Sequence, residues 1–211
     1  LAYLIADGRF APRGVLALVL VSVWAARLGF HLLRRNLRSG EDPRYGAMRE
    51  RHGARFGRVS LFTVFWLQAI LLWIISAPLA GSVVSVTPLG AWDLLGALVF
   101  LIGFSFEAVA DLQLEHFKAD SASVGRVLDT GLWRYSRHPN YFGNAVLWWG
   151  LYLVAVGGGA SWTVFGPILM TYLLLRVSGV TLLEKGLARS RPGYAQYADR
   201  TSAFVPWPPK R

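Results

Sequence analysis

Residues 139–175, PNYFGNAVLWWGLYLVAVGGGASWTVFGPILMTYLLL, carry no charged side chain and are interrupted only by Gly157-Gly158-Gly159. One membrane span needs roughly 20 residues, so this run reads as two helices joined by a tight glycine turn. Val59 to Trp92 is a second charge-free stretch. With 54% hydrophobic and only 16% charged residues and a mean hydropathy of +0.40, the chain lies outside the range of soluble domains. The sequence therefore predicts an all-α fold, a polytopic transmembrane helical bundle of about five spans. Residues 1–211 form a single membrane-embedded domain with no separable soluble unit.

The expected spans are Pro12 to Arg35, Ser60 to Leu79, Asp93 to Lys118, Pro139 to Val156 and Ser161 to Arg189. Gly40 to Arg58, rich in arginine and glycine, suits a polar loop or a short interfacial helix. The tail from Pro192 onward is expected to be largely irregular, with Tyr194, Tyr197 and Phe204 able to dock it on the bundle. The chain begins at Leu1 rather than methionine, and upstream N-terminal helices are expected to be missing from it.

The net charge of +10 is divided among three basic segments, Arg34 to Arg58, Lys118 to Arg137 and Lys185 to Arg211. The connections Ala80 to Trp92 and Gly157 to Ser161 contain no lysine or arginine. This alternation follows the positive-inside rule, putting the basic segments in the cytoplasm of a cell with a bacterial inner membrane. It also removes the case for nucleic acid as a partner; the expected partners are membrane lipid and an apolar small molecule, with no obligatory protein partner. Cysteine is absent, which excludes thiolate metal sites, iron–sulfur clusters and a cysteine nucleophile, and no metal site is expected. There is no Walker loop, HExxH or GxSxG, and the glycine run at 157–159 lacks the strand-to-helix context of a dinucleotide fold.

Ahead of the charge-free run stands Gly131-Leu-Trp-Arg-Tyr-Ser-Arg-His138. Pro139 favours a first helical turn, so Arg134, Arg137 and His138 fall at the positive end of a helix dipole. Cations there conflict with the dipole unless an anion shares the site, which marks a candidate anion receptor. The alternative is that they snorkel to lipid headgroups. Glu107, Asp111 and Glu115 recur every four residues and form one acidic stripe on the third span. Carboxylates at that depth need a polar cavity or cationic partners, and Arg27 and His31, one turn apart on the first span, can supply them. A structural ion-pair lattice is the competing reading. Gln68 is a candidate for interhelical hydrogen bonding or for a substrate carbonyl. Arg27, Gln68 and Glu107 are the substrate-pocket candidates. Glu184, Arg189, Tyr194, Tyr197 and Arg200 fall where a tail could close over the basic block.

The block GLWRYSRHPNYFG, followed by EKGLARSRPGYAQYADRTSAFVPWPP and preceded by RLGFHLLRR and EDPRY, resembles the DUF1295 family over nearly the whole chain. That family is similar to the steroid 5-alpha-reductase C-terminal domain. The resemblance implies an NADPH-dependent membrane reductase of a conjugated carbon–carbon double bond in an apolar, steroid-like or isoprenoid enone. It also implies NADP(H) contacts at Asp111, Arg126, Asn140 and Tyr197, with Arg134, Arg137 and His138 beside the phosphates. In such reductases a glutamate on an early helix and a tyrosine on the next polarise the carbonyl; here the early helix is expected to be missing and the tyrosine position aligns near Trp24 or Ala25, so no catalytic residue is assigned. Where the family often has a glutamate, this chain has Asn144. The alternative is an S-adenosylmethionine-dependent membrane methyltransferase resembling the isoprenylcysteine carboxyl methyltransferases. In that reading His138 and Asn140 hold the methionine portion, and Glu184 and Tyr197 complete the pocket. A non-catalytic lipid-binding or scaffold protein is the third possibility.

Overall fold

The computed structural model describes residues 11–39, 43–177, 184, 186 and 191–210, and every regular element among them is helical. Three helices are long and apolar enough to cross a membrane: Pro12–Leu37, Tyr45–Ile75 and Ala91–Ala119. The fourth expected span is the 19-residue helix Pro139–Gly157. The fifth begins as the apolar helix Ser161–Val177, and its expected continuation to Arg189 lies outside the described residues apart from Glu184 and Gly186.

In chain order the helices are α1 (Pro12–Ser39), α2 (Pro43–His52), α3 (Phe56–Ser60), α4 (Leu67–Ile75), α5 (Ala77–Val83), α6 (Ala91–Ala119), α7 (Pro139–Gly157), α8 (Phe165–Tyr172) and α9 (Tyr194–Arg200). Short 3-10 and π turns link several of them. Of the loop or short helix expected at 40–58, the structure has a helix from Pro43, and it continues into the second span through a 3-10 turn at Gly53–Arg55, where Gly53 takes φ +49°. No proline follows Pro43 until Pro78, so no pyrrolidine ring stops the run in between. That span ends at Ser76, whose backbone leaves the helical region, and Pro78 opens α5.

The centre of the bundle is the antiparallel pair α6 and α7. Gly96 and Gly103 on one helix face Gly150 and Gly143 on the other. The two glycines of each helix are seven residues apart, two turns, so both lie on one stripe. A Cβ on Gly150 would stand 2.5 Å from the Phe100 amide nitrogen, and one on Gly143 would stand 2.6 Å from the Gly103 carbonyl oxygen. The backbones therefore meet at distances only glycine permits, the close approach by which membrane helices gain van der Waals contact. Phe100, Leu147, Trp148, Leu151 and Ile75 fill the adjoining core. Val19, Val23, Phe30 and Leu33 of α1 are exposed apolar side chains, the surface a helix presents to lipid.

At the end of the bundle lacking basic loops, Arg13 is fully buried and forms a two-point ion pair with Asp93, Nε to Oδ1 at 2.7 Å and Nη2 to Oδ2 at 2.8 Å. Its remaining donors reach the Ser85 hydroxyl at 2.6 Å, the Thr87 hydroxyl and the Pro88 carbonyl at 2.8 Å. Asp93 also accepts from the Gly90 amide at 2.8 Å, capping α6. This pair pins the start of α1 to the start of α6. Gly157 and Gly158 pack directly over Asp93, Ser85 and Arg13, and Gly159, at φ +81°, turns the chain out of α7.

Two stability effects are expected. Gly143→Ala should destabilise the detergent-solubilised protein by about 1–3 kcal/mol through overpacking, read as a lowered Tm. Asp93→Ala, which strands a buried guanidinium, should cost about 3–5 kcal/mol.

Candidate functional site

At the opposite, basic end, Gly131 (φ +60°) turns the chain over Gln113, whose Oε1 accepts from the Leu132 amide at 3.0 Å. Trp133 Nε1 donates to the Ala110 carbonyl at 3.1 Å, fixing the segment to α6. Ser136 and His138 are buried, and the His138 amide donates to Ser136 Oγ at 3.1 Å. Pro139 then opens α7.

The C-terminal tail docks on this segment, as its aromatic content suggests. The Arg137 amide donates to the Ser202 carbonyl at 2.8 Å, Ser136 Oγ to the Phe204 carbonyl at 2.8 Å, and the Trp207 amide to the Tyr135 carbonyl at 2.9 Å. Tyr197, buried on α9, donates its hydroxyl to the Trp133 carbonyl, and the Phe204 ring packs edge-on to Phe142 at 5.8 Å.

Arg137 finds its anion within the chain. Its Nε and Nη2 donate to the two carboxylate oxygens of Glu184 at 2.7 and 3.1 Å, while Nη1 donates to the carbonyls of Ala198 and Thr201. His138 Nε2 lies 3.2 Å from Glu184 Oε1. Burial holds the His138 imidazole below its ordinary pKa, with Arg137 adding to the effect and Glu184 opposing it. The neutral ring must then carry its hydrogen on Nε2 to bond the carboxylate, leaving Nδ1 as an acceptor. Its ring stacks on Tyr141 at 5.5 Å. Tyr194 is buried beside this cluster. Burial and the nearby Glu184 charge push its hydroxyl up to about 12, and its Oη has no hydrogen-bond partner among the described residues. Tyr197 is raised for the same leading reason, burial. Glu184 is the one acid between Asp129 and Asp199; that isolation among basic residues was the available signal for its pairing.

The acidic stripe is engaged as well. Arg27 Nη2 donates to Asp111 Oδ2 at 2.6 Å and to the Glu107 carbonyl at 3.1 Å, and its Nη1 lies 3.4 Å from Glu107 Oε1. Trp24 Nε1 donates to Glu107 Oε2 at 2.9 Å; Asn144 Nδ2 and Asn140 Nδ2 donate to Glu107 and Asp111 at 3.3 and 3.1 Å. Further along, Arg34 pairs with Glu115 at 3.3 Å and His31 lies 3.9 Å from both Asp111 and Glu115. The structure thus joins Arg27, Glu107, Asp111 and Asn140 into one network, and Arg137, His138 and Tyr197 into another. Asn140, two residues after His138, connects the two. Arg126, Arg134 and Gln68 are exposed and take no part in either. Arg189 lies outside the described residues. Arg200 turns away to Asp129 at 2.6 Å. Sequence alone passes over Arg13 and marks Trp24 and Asn144 only as departures from the family pattern, because each draws its importance from a partner about 40 or more residues away.

With this geometry in place, the comparisons with known proteins become informative. The chain belongs to the DUF1295 family, a family of unknown function, which it matches over residues 1–201. Among individual relatives, an uncharacterized protein of Schizosaccharomyces pombe is 28% identical, the alignment covering 89% of this chain and 61% of the relative. Methanethiol S-methyltransferase 1 of Bradyrhizobium diazoefficiens is also 28% identical, covering 72% of this chain and 52% of the relative. The chain spans between half and two thirds of the length of these relatives. No solved structure matches it. The family resemblance is therefore met, whereas the expected link to steroid reductases finds no direct support and the named enzyme among these two relatives is a methyltransferase.

Because His138 binds a proton less readily when folded, the unfolded chain takes up that proton first as pH falls. Its contribution to stability is thus present above about pH 6.5, the ordinary value, and is lost as pH falls below it. The Tm of the wild type should drop more steeply between neutral and mildly acidic pH than that of His138→Asn, measured in parallel thermal melts.

Proposed function

We propose that this protein is a membrane-embedded methyltransferase using S-adenosylmethionine, seated at the cytoplasmic end among His138, Asn140, Glu184, Tyr194 and Tyr197. The observation that carries this reading is the internal pairing of Arg137 with Glu184. A dinucleotide needs unengaged cations for its phosphates, yet the guanidinium at the head of α7 is already satisfied by a carboxylate and two tail carbonyls. Arg126 and Arg134 are exposed and stand outside the cluster.

A zwitterionic amino acid joined to a sulfonium asks for something different: acceptors, neutral donors and aromatic faces. Glu184 offers a carboxylate, His138 Nδ1 an acceptor, and Tyr194 a buried hydroxyl donor with no hydrogen-bond partner among the described residues. The stacked His138–Tyr141 pair and the edge-on Tyr194–Tyr197 pair, 5.9 Å apart, supply aromatic surface. Such a donor set fits the cofactor, since an orphaned buried hydroxyl costs stability until a ligand engages it. When bound, S-adenosylmethionine supplies an electrophilic methyl group. The chain's own part is to hold the amino acid portion, exclude water with the docked tail, and present an apolar acceptor from the lipid side of the bundle. The methyltransferase relative supports the same assignment.

Purified in detergent, the protein should be stabilised by S-adenosylmethionine by about 2.7 kcal/mol at 100-fold saturation, and not by NADPH. Tyr194→Phe should melt at the wild-type temperature without ligand but bind the cofactor about tenfold more weakly, the loss of one buried hydrogen bond. Stabilisation by NADPH in place of S-adenosylmethionine would reinstate the reductase reading.

A further inference from the structure

Three buried polar atoms without a hydrogen-bond partner among the described residues belong to side chains near Glu107, and one of them, Arg27 Nη1, is in ionic contact with its carboxylate. Asn144 and Trp148 are both more than nine-tenths buried, at 7% and 3% exposure, yet Asn144 Oδ1 and Trp148 Nε1 have no hydrogen-bond partner among the described residues; nor does Arg27 Nη1. Their placement is mutual. Asn144 Nδ2 and Arg27 Nη1 converge on the same Glu107 oxygen at 3.3 and 3.4 Å. Trp148 follows Asn144 by one helical turn on the same face of α7. The Trp148 ring meets Trp24 edge-on at 5.8 Å, and Trp24 donates to the other Glu107 oxygen. The Asn144 amide cannot be turned to relieve its orphaned oxygen, because that would set Oδ1 against the carboxylate.

Orphaned buried polar groups are rare and costly, and in the apolar depth of a bundle each costs more than at a wet surface. Three in one niche define the complement they lack: an acceptor for the Arg27 and Trp148 hydrogens and a donor for Asn144 Oδ1. Charge narrows the choice. Arg27 is already shared by Glu107 and Asp111, so a third anion there would meet two carboxylates with one guanidinium between them. The fitting group is uncharged and both donates and accepts.

We propose that this niche binds the hydroxyl or thiol head of an otherwise apolar molecule, and that this group is the acceptor of the transferred methyl: its oxygen or sulfur would bond the methyl carbon as the sulfonium–methyl bond breaks, the bonding pair staying on the sulfur of the departing S-adenosylhomocysteine, and the head's proton would pass to the adjacent Glu107 carboxylate. The first half stands on the niche alone; the second rests on the methyltransferase reading. On the α1 side of these atoms Trp24 and Arg27 are only half-buried, and the neighbouring Val23 and Phe30 are exposed. A molecule with an apolar tail can therefore enter from lipid. The same charge argument excludes a carboxylate acceptor.

The test uses the full chain in detergent with 1-decanethiol, 1-decanol, decanoate and decane as probes, read by Tm and by equilibrium binding. The thiol or the alcohol should raise the Tm, while decane and decanoate should not. Trp148→Phe keeps the aromatic packing and removes one orphaned donor; it should weaken binding of the preferred probe about tenfold and leave the S-adenosylmethionine shift intact. Preference for decanoate, equal effects of all four probes, or an unchanged affinity in Trp148→Phe would overturn the niche. Methyl transfer from radiolabelled S-adenosylmethionine then separates the two readings. Probe binding without any cofactor binding would refute the methyltransferase while leaving the niche standing, and cofactor binding without probe binding would do the reverse.

Discussion

The acidic network at the middle of the bundle depends on how closely α6 and α7 approach. The glycines at 96, 103, 143 and 150 let the two backbones touch, and that contact sets Glu107 against Asn144 and Asp111 against Asn140. A larger side chain at any of these four positions would separate the helices and pull each carboxylate from its amide. In a bilayer there is little hydrophobic gain in pressing helices together, so packing of this kind carries the association.

The first helix is then held parallel to α6 at three depths. Arg13 meets Asp93 at one end, Arg27 meets Glu107 and Asp111 midway, and Arg34 meets Glu115 at the other. The pairs differ in completeness. Arg13 is fully satisfied by an ion pair, hydroxyls and carbonyls, a structural anchor with nothing left to offer. Arg27 Nη1 is in ionic contact with Glu107 but makes no hydrogen bond among the described residues, and it lies near two other atoms in that condition. Incomplete satisfaction distinguishes a place for a ligand from a place that only holds helices together.

At the basic end the helix dipole, the Pro139 start and the arginines pose an electrostatic conflict that an anion must relieve. Glu184 relieves it from within the chain, at the head of α7. The docked tail closes the arrangement through backbone hydrogen bonds to the 135–137 segment. The result is an aromatic, partly unsatisfied cluster in which the Arg137 charge is already answered by Glu184, and the proposal of a zwitterionic rather than a polyanionic cofactor rests on that pairing.

Much of this was legible in the residues themselves. Charge-free runs determine that the chain forms apolar helices, because hydropathy and span length act locally, and the four-residue recurrence of Glu107, Asp111 and Glu115 determines that they share a face. The heptad spacing of the glycines was equally visible in the chain but carries meaning only once α6 and α7 are known to be neighbours. Which cation answers which carboxylate, that Arg137 is spent on Glu184, that Gln68 faces outward, and that Asn144 and Trp148 are left unsatisfied were decided by tertiary structure alone. A hydrogen bond depends on distance and direction across segments about 40 to 80 residues apart, and periodicity along one helix holds no information about either.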